Sequence, residues 1–221
     1  MRIGEVKSQA RAALRGKWGL AVGTAFLIGL IANVVPSLVE VFLGGGFGNY
    51  INQEETTVAG SIGSLIASIL LIPLGIGLYW FFLRLVRDEN PTLGSVFEVY
   101  ADLKVSLKLI VTSIVVGIFV FLWSLLLIIP GIIKGLAYSQ AFYILKDKPE
   151  YGTLQAITES RKLMDGYKWK YFLLQLSFIG WILLSILTLG IGLLWVIPYM
   201  NASYAAFYQN LVNTNNPVIE E

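Results

Sequence analysis

Residues 18–39 read WGLAVGTAFLIGLIANVVPSLV, a stretch without a single charged side chain. A helix needs about 20 apolar residues, at about 1.5 Å each, to cross the hydrocarbon core of a bilayer. The stretch meets that requirement, is too long for the apolar part of a signal peptide, and is followed by no small-residue cleavage site. It therefore predicts a transmembrane helix that the chain retains.

The rest of the chain has the same character. Of its 221 residues, 56% are hydrophobic and 14% are charged, whereas soluble domains have about 25% charged residues. The charges fall in short clusters between long neutral runs, which leaves no stretch for a water-soluble domain. We expect one membrane domain, residues 1–221, with an all-α fold. Its six predicted transmembrane helices are residues 18–43, 58–83, 106–129, 131–146, 169–188 and 191–212.

Two breaks divide the later apolar runs into pairs of helices. Pro130-Gly131 is predicted to separate the third span from the fourth, and residues 188–192 to form a tight turn between the fifth and the sixth. The fourth segment is short and is interrupted by Lys134. By length alone it is either a span or a re-entrant piece.

The basic residues decide between these alternatives, because Lys and Arg in short loops mark the cytoplasmic side of a membrane. With six spans, fifteen of the sixteen Lys and Arg residues fall on one side, and Lys134 is the exception. A re-entrant fourth segment would put the basic cluster at 146–170 on the opposite side. We therefore predict six spans with both termini in the cytoplasm.

Three segments outside the spans place apolar residues at helical spacing. They predict amphipathic helices that either lie on the inner membrane surface or pack against the cytoplasmic ends of the bundle. Their apolar positions are Leu93, Val96, Phe97 and Tyr100 in the clearest segment, Ile3, Val6, Ala10 and Ala13 in another, and Leu154, Ile157 and Met164 in the third.

Parts of the chain also resemble one another. Residues 10–18, ARAALRGKW, are similar to residues 160–169, SRKLMDGYKW. Each has an amphipathic helix, a glycine suited to the helix C-cap and a Lys-Trp pair suited to the membrane interface. Each pair of spans then ends in an aromatic pair followed by a proline, at Pro91, Pro149 and Pro217. The pattern predicts three successive units, each a surface helix followed by a transmembrane hairpin, in an arrangement compatible with pseudo-threefold symmetry.

The composition excludes much chemistry. The chain has no His and no Cys, which removes the commonest general base, the thiolate nucleophile and the usual zinc ligands. A net charge of +2 without a broad basic face argues against nucleic-acid binding. We expect no enzyme activity, no cofactor and no metal. A serine–lysine arrangement of Ser139 with Lys134 has proximity along one helix as its sole support.

Polar residues inside the apolar runs are the candidates for a functional site, because each is costly in hydrocarbon. Glu40 and Lys134 have similar predicted depths near the outer ends of their spans. They form an ion pair lining an outward-facing cavity or, alternatively, Lys134 reaches the interface while Glu40 ends its helix. Asn33, Gln140 and Asn201 lie deeper, where they either hydrogen-bond between helices or line a polar path at the bundle centre.

Basic residues beside the predicted surface helices suit the headgroups of anionic lipids in the inner leaflet. These candidate lipid contacts are Arg11, Arg15, Lys17, Arg161, Lys162, Lys168 and Lys170.

Several motifs are similar to those of a known family. They are Ala13-Leu14-Arg15-Gly16-Lys17-Trp18, Ile129-Pro130-Gly131-Ile132, Ser160-Arg161-Lys162-Leu163-Met164-Asp165-Gly166, Lys168-Trp169-Lys170, Thr188-Leu189-Gly190-Ile191-Gly192 and Pro198-Tyr199. With them the chain resembles, over nearly its whole length, the domain-of-unknown-function 975 family of bacterial integral membrane proteins. The resemblance implies a multi-span fold in a bacterial plasma membrane, similar in character to the membrane region of some glycerophosphodiester phosphodiesterases, and it carries no established activity.

Two functions remain open at this point. The first is a non-enzymatic membrane protein that acts through anionic lipids or a protein partner at its cytoplasmic helices. The second is a small transporter or permease for an amphiphilic, lipid-like substrate, suggested by the repeated hairpins. A polar cavity reaching Asn33, Lys134, Gln140 or Asn201 would favour transport, and a closed apolar interior would count against it.

Overall fold

The computed structural model of the protein describes residues 1–51 and 57–215, and all regular structure within these ranges is helical. The prediction of an all-α fold is thus confirmed for them, while Pro217 lies outside the described residues. The α-helices are α1 (Ile3–Leu14), α2 (Trp18–Leu43), α3 (Gly46–Ile51), α4 (Val58–Val86), α5 (Leu103–Leu126), α6 (Ile128–Tyr138), α7 (Ala141–Asp147), α8 (Thr153–Leu163), α9 (Lys168–Leu176), α10 (Ile179–Leu187) and α11 (Leu193–Asn215), and a 3₁₀ helix occupies Leu93–Tyr100.

Within the described ranges, five helical stretches are long and apolar enough to cross a membrane. They are α2, α4, α5, the consecutive pair α6–α7 and the consecutive pair α9–α10, and their bounds agree with the first five predicted spans to within a few residues. The sixth predicted span corresponds to α11. It does not meet the same criterion because its C-terminal half is rich in polar residues, among them Gln209, Asn210 and Asn213.

The predicted break between the third and fourth spans occurs at Leu127 and not at Pro130-Gly131. α5 ends at Leu126, Leu127 alone links it to α6, and the Pro-Gly pair lies in the first turn of α6. Proline is tolerated there because the backbone N–H groups of the first turn have no carbonyl partner within the helix. The turn is made instead by the extended backbone of Leu127, with φ −161° and ψ 146°.

Glycines allow the two helices beside this turn to approach closely, and the same geometry occurs a second time. A Cβ atom built on Gly131 would lie 2.9 Å from Cβ of Ser124, and one built on Gly192 would lie 3.0 Å from Cβ of Ser185. In each case the glycine follows the serine by the same number of residues. Residues 188–192 join α10 to α11 as predicted, and the α5–α6 turn has the same close approach.

The helices pack in a cyclic order. α2 lies against α4, α5 against α6, and α10 against α11. The shorter helices dock on the second helix of the preceding pair: the 3₁₀ helix on α4, and α8 on α6 and α7. α1 completes the order by docking on α11, where the amide of Asn210 donates to Gln9 at 2.6 Å. The beginning of the described chain therefore closes onto its end.

The docked helices define one end of the bundle, which we call the basal end and which consists of α1, the 3₁₀ helix and α8. Their inward faces are buried, as Val6, Val96 and Ile157 illustrate. The opposite end exposes large apolar side chains, such as Phe121 at 61% and Leu187 at 80%. Apolar surface on this scale is unfavourable in water and is typical of helices that face hydrocarbon.

The stripe predicted at Leu93, Val96, Phe97 and Tyr100 is partly wrong because the segment is a 3₁₀ helix. With about three residues per turn, side chains i and i+3 lie on one face. Val96 and Val99 accordingly face the bundle and are fully buried, whereas Phe97 and Tyr100 are 39% and 40% exposed. The buried side chains of this segment therefore follow the three-residue period of a 3₁₀ helix and not the 3.6-residue period of an α-helix.

Residues separated by 150 positions have matching environments at α1–α2 and α8–α9. Gly16 and Gly166, in the turns after α1 and α8, have φ values of +74° and +72°, a region that glycine adopts without strain. The two segments also have buried residues at corresponding positions. These are Val6, Ala10, Leu14, Ala21, Thr24 and Ile28 in the first segment and Ala156, Ser160, Met164, Tyr171, Leu174 and Phe178 in the second.

Candidate functional site

The C-terminal end of α4 joins the parts of the basal end. Arg84 donates two hydrogen bonds to the Glu98 carboxylate of the 3₁₀ helix, at 3.0 and 2.6 Å. Arg87 donates two bonds of 2.7 Å to Asp147 at the end of α7, and its Nε donates to Gln209 of α11 at 2.7 Å. These contacts connect α4 with three other elements and hold them in a fixed arrangement.

These charged contacts also shift the pKa values of the groups that make them. The hydrogen bonds from Arg84 hold the pKa of Glu98 below its ordinary value. The hydrogen bonds to Asp147 raise the pKa of Arg87. Each shift favours the charged form of its group, so Glu98 and Arg87 keep their charges at neutral pH.

We expect acid to weaken the contact between the 3₁₀ helix and α4. Because the folded-state pKa of Glu98 is lowered, its contribution to stability is complete above the ordinary pKa near 4.5 and is lost as the pH falls through the folded-state pKa. The effect should be small, since the Glu98 side chain is 54% exposed. The apparent melting temperature in detergent, followed from neutral pH to about pH 3, should fall less for Glu98→Gln than for the wild-type chain. An equal fall in both proteins would contradict this expectation.

A groove lies on the surface where α6, α8 and the start of α9 meet, and we call it the basic groove. Its volume is about 370 Å³. Four of its lining residues are cationic and one is anionic, so it suits a ligand group with negative charge. The lining residues are Ile133, Lys134, Ala137, Thr158, Arg161, Lys162, Asp165 and Lys168.

The docking of α8 on α6 positions this groove. Ser160 Oγ donates to the carbonyl of Ala137 at 2.7 Å and accepts from the backbone N–H of Gln140 at 3.1 Å. At the start of α8, the hydroxyls of Thr153 and Thr112 are 2.9 Å apart. Ser160 is fully buried, so the side of α8 that carries the charged residues is turned outward.

Two cations of the basic groove have carboxylate partners nearby in the chain. Lys162 pairs with Glu159 at 2.8 Å, and Lys168 pairs with Asp165 at 3.2 Å. Both pairs are exposed in part, and pairs of this kind contribute at most about 1 kcal/mol. A stronger anionic ligand can therefore compete for either lysine.

The other two cations, Lys134 and Arg161, take part in none of the ion pairs found among the described residues. Lys134 Nζ lies 4.4 Å from the centre of the Trp123 ring. The sequence prediction separates Lys134 from the basic cluster, but in the structure it lines the same groove as Arg161. The reason is that α6 ends at Tyr138, so α8 docks directly beside it. Lys134 and Arg161 therefore have charge available for a ligand.

A second groove lies between α1, α10 and α11, and we call it the aromatic groove. Its volume is about 390 Å³. Arg11 is the one charged residue among those that line it, and three of the others are tryptophans. The lining residues are Arg11, Trp18, Trp181, Leu184, Ser185, Thr188, Gly192, Trp195, Val196 and Tyr199.

Asn33 and Asn201, predicted to lie deep in the spans, bond to their own helices. The amide of Asn33 is exposed and donates to the carbonyl of Gly29 at 2.7 Å. The amide of Asn201 donates to the carbonyl of Ile197 at 3.0 Å. The two asparagines do not lie together with Gln140 in the structure. The three side chains therefore do not line a common path.

Gln140 is buried inside the bundle. Its side chain is fully buried, and its Nε2 donates to Ser139 Oγ at 2.7 Å. It contacts Tyr171, one of several buried or partly buried tyrosines, of which Tyr143 and Tyr208 have their rings stacked 5.0 Å apart. We call this set the tyrosine cluster, and it consists of Tyr79, Tyr143, Tyr171, Tyr204 and Tyr208.

Glu40 is half-buried near the end of α2, and a Cβ atom on Gly60 would lie 2.9 Å from its backbone oxygen. Glu40 takes part in none of the ion pairs that the described residues form. The predicted Glu40–Lys134 pair is therefore not formed in this structure, because α2 packs on α4 whereas Lys134 lies on α6 beside α8.

The remaining predicted lipid contacts have separate surroundings. Lys17 pairs with Asp88 at 2.6 Å. Arg15 is exposed on the side of α1 away from the aromatic groove. Lys170 is exposed, with its Nζ 5.2 Å from the Tyr167 ring. None of the three lines either groove.

Four lining residues of the basic groove were missed by the sequence prediction: the apolar Ile133 and Ala137 and the polar Thr158 and Asp165. Thr158, Arg161, Lys162 and Asp165 stand at i, i+3, i+4 and i+7, the spacing of one helix face. This polar face is visible in the sequence once α8 is known to dock with its other side.

Comparison with protein families matches the chain to the model of a family described as a protein of unknown function, DUF975, over residues 1–134 and 124–215. No curated protein and no solved structure matches the chain. The two matched ranges include every residue that lines the basic and aromatic grooves.

Proposed function

The chain belongs to the DUF975 family of proteins of unknown function, and we propose that it is a non-enzymatic integral membrane protein whose basic groove binds an anionic phospholipid. One observation carries the proposal: Lys134 and Arg161 line a surface groove without a carboxylate partner among the described residues, in a bundle whose helices expose apolar side chains. Cations that face both a groove and hydrocarbon suit a ligand with a charged head and an apolar tail.

We propose six transmembrane helices, with α11 as the sixth. α11 packs along α2 and α4, and its polar C-terminal half lies at the basal end, where Gln209 accepts from Arg87. The distribution of Lys and Arg then assigns the basal end and both termini to the cytoplasm. The resemblance to the family supports a bacterial plasma membrane as the location.

We further propose that the chain consists of three repeated units, each an amphipathic helix followed by a hairpin. The cyclic docking order supports this reading, because each short helix contacts the second helix of the preceding pair. The paired contacts of Gly131 with Ser124 and Gly192 with Ser185 support it too. So does the correspondence of residues 150 positions apart.

The chemistry of the basic groove favours a phospholipid over a free anion. Arg161 offers a planar fork of donors that matches a phosphate, and Lys134 adds a compact positive charge. Ile133, which also lines the groove and is 45% exposed, offers apolar surface to an acyl chain. A phospholipid in the cytoplasmic leaflet would satisfy both requirements together.

The competing functions have less support. A polar cavity reaching Asn33, Lys134, Gln140 or Asn201 was expected to favour transport. Lys134 lines the basic groove at the surface, whereas Asn33 and Asn201 bond to their own helices and Gln140 is buried, so the four side chains do not converge in the described part of the chain. Gln140 is fully buried and contacts Tyr171 of the tyrosine cluster. For an enzyme, the sequence lacks His and Cys, and no group of three metal-ligating side chains occurs among the described residues.

Native mass spectrometry of the detergent-purified chain tests the proposal. We expect phosphatidylglycerol to bind more tightly than phosphatidylcholine. The double variant Lys134→Gln/Arg161→Gln should bind phosphatidylglycerol at least tenfold more weakly, because it loses two charge-assisted contacts that contribute about 1.5–3 kcal/mol each.

Lys170→Gln is the matched control, since Lys170 belongs to the same basic cluster but does not line the groove. It should bind phosphatidylglycerol as the wild-type chain does. Equal affinity for the two lipids in the wild-type chain, or the same loss in Lys170→Gln as in the double variant, would contradict binding at the basic groove.

A further inference from the structure

The aromatic groove differs from the basic groove in composition and resembles it in position. Apart from Arg11, its lining consists of aromatic, aliphatic and small side chains. Trp181 and Trp195 are each 52% exposed, so their rings are accessible from the groove. A lining of this kind is unfavourable toward water and favourable toward a hydrocarbon chain.

Arg11 places one positive charge in the lining of the aromatic groove. Its side chain is exposed, and it belongs to none of the ion pairs among the described residues. Tyr199 is the neighbour with which its guanidinium interacts. The guanidinium therefore retains donors and a full charge for an anionic group at that position.

The two grooves occupy equivalent places in the fold. Arg161 of the basic groove lies 150 positions after Arg11 of the aromatic groove, on the helix that docks in the same way. Lys134 and Trp195 are separated by the same number of residues as Gly131 and Gly192, whose contacts with serine are alike. An arginine on the docked helix lines each groove, together with Lys134 in the basic groove and Trp195 in the aromatic groove.

We propose that the aromatic groove is a second lipid site, which holds one acyl chain of an anionic phospholipid with the phosphate at Arg11. The volume of about 390 Å³ falls within the range of about 300–1,000 Å³ that is usual for small-molecule sites. Arg11 sets the position of the headgroup, and the tryptophan-lined wall receives the chain. The site uses residues separate from those of the basic groove, so each site stands without the other.

Tryptophan fluorescence in phosphatidylcholine vesicles tests this site. Single-tryptophan variants, in which phenylalanine replaces the other tryptophans so that the groove wall stays aromatic, retain either Trp181, in the groove, or Trp169, which is exposed on α9 and lines neither groove. The quenchers are phosphatidylglycerol and phosphatidylcholine brominated on the acyl chain and added in equal amounts. We expect brominated phosphatidylglycerol to quench Trp181 more strongly than brominated phosphatidylcholine, and the two lipids to quench Trp169 equally.

Three further substitutions, made in the variant that retains Trp181, test which arginine is responsible for the stronger quenching by brominated phosphatidylglycerol. Arg11→Gln should raise the concentration of brominated phosphatidylglycerol needed for half-quenching about tenfold, because one charge-assisted contact is lost. Arg15→Gln, on the same helix but outside the groove, should leave it unchanged. Arg161→Gln should also leave it unchanged, which separates this site from the basic groove.

Equal quenching of Trp181 by the two lipids would overturn the proposal. So would an Arg15→Gln effect as large as that of Arg11→Gln, since it would reflect general surface charge. Arg11 is exposed, and an unchanged melting temperature of Arg11→Gln would show that the variant is folded. The assignment would also be overturned if Arg11→Gln had a lowered melting temperature and brominated phosphatidylglycerol quenched Trp181 and Trp169 equally.

Discussion

Gly131→Ala should lower the free energy of unfolding by about 1–3 kcal/mol, the usual cost of forcing extra volume into a packed contact. The added Cβ would lie 2.9 Å from Cβ and 3.0 Å from Cα of Ser124. Because one of these atoms is backbone, no rotation of a side chain relieves the clash. α5 and α6 must move apart at their turn. The apparent melting temperature in detergent or nanodiscs measures the effect.

Gly135→Ala is a close control in the same helix. Its Cβ would meet nothing nearer than a Val120 methyl at 3.9 Å, and alanine favours a helix over glycine by up to about 1 kcal/mol. We expect Gly135→Ala to melt at or above the wild-type temperature. Ser124→Gly should partly rescue Gly131→Ala. Identical melting temperatures for the two alanine variants would show that the close approach is not required.

Arg87→Met should destabilise the protein by about 2–3 kcal/mol, because it leaves the Asp147 carboxylate without its cation in a mostly buried place. The two side chains are 24% and 23% exposed and are joined by two bonds of 2.7 Å. The Tyr208 hydroxyl would remain as a donor to Asp147 at 2.8 Å. The melting temperature at neutral pH, where the pair is charged, gives the magnitude.

The double variant Arg87→Met/Asp147→Leu separates the pair from its surroundings. Removing both charges should cost less than the sum of the two single substitutions, because no uncompensated charge is left. Lys17→Gln serves as the comparison, since its partner Asp88 is 84% exposed, and it should melt close to the wild-type chain. Additive single effects would mean that Arg87 and Asp147 act independently.

The parts of the fold that follow from bilayer thickness could be predicted from the sequence. The bounds of α2, Trp18–Leu43, are those of the first predicted span because one physical requirement determines both. The turn at residues 188–192 was equally predictable, since glycine there supplies backbone conformations that other residues avoid. Such features depend on neighbours along the chain.

Other features depend on partners that are distant in the chain. The Pro130 position was mispredicted because proline both ends helices and begins them, and the choice depends on how α6 meets α5. The period of the 3₁₀ helix is set by its docking on α4. The pairing of Arg87 with Asp147 joins residues 60 positions apart, and no local pattern marks it.

The cationic residues of the basic groove could be predicted from the sequence, but the way they come together in one groove could not. Arg161, Lys162 and Lys168 were recognised from their charge beside an amphipathic helix. Lys134 was assigned to a different place, because its depth was counted along an uninterrupted span. In the structure the span is divided between α6 and α7, and α8 docks on the first part.

The docking of α1 on α11 also sets an order of events during synthesis. Gln9 and Asn210, which bond across that contact, are 201 positions apart, so α1 leaves the ribosome well before α11, the helix on which it docks. Until α11 emerges, the faces of Val6 and Leu14, buried in the finished protein, have no partner on α11. Contacts of such long range form slowly, and chains released before α11 is complete would present those faces to chaperones and proteases.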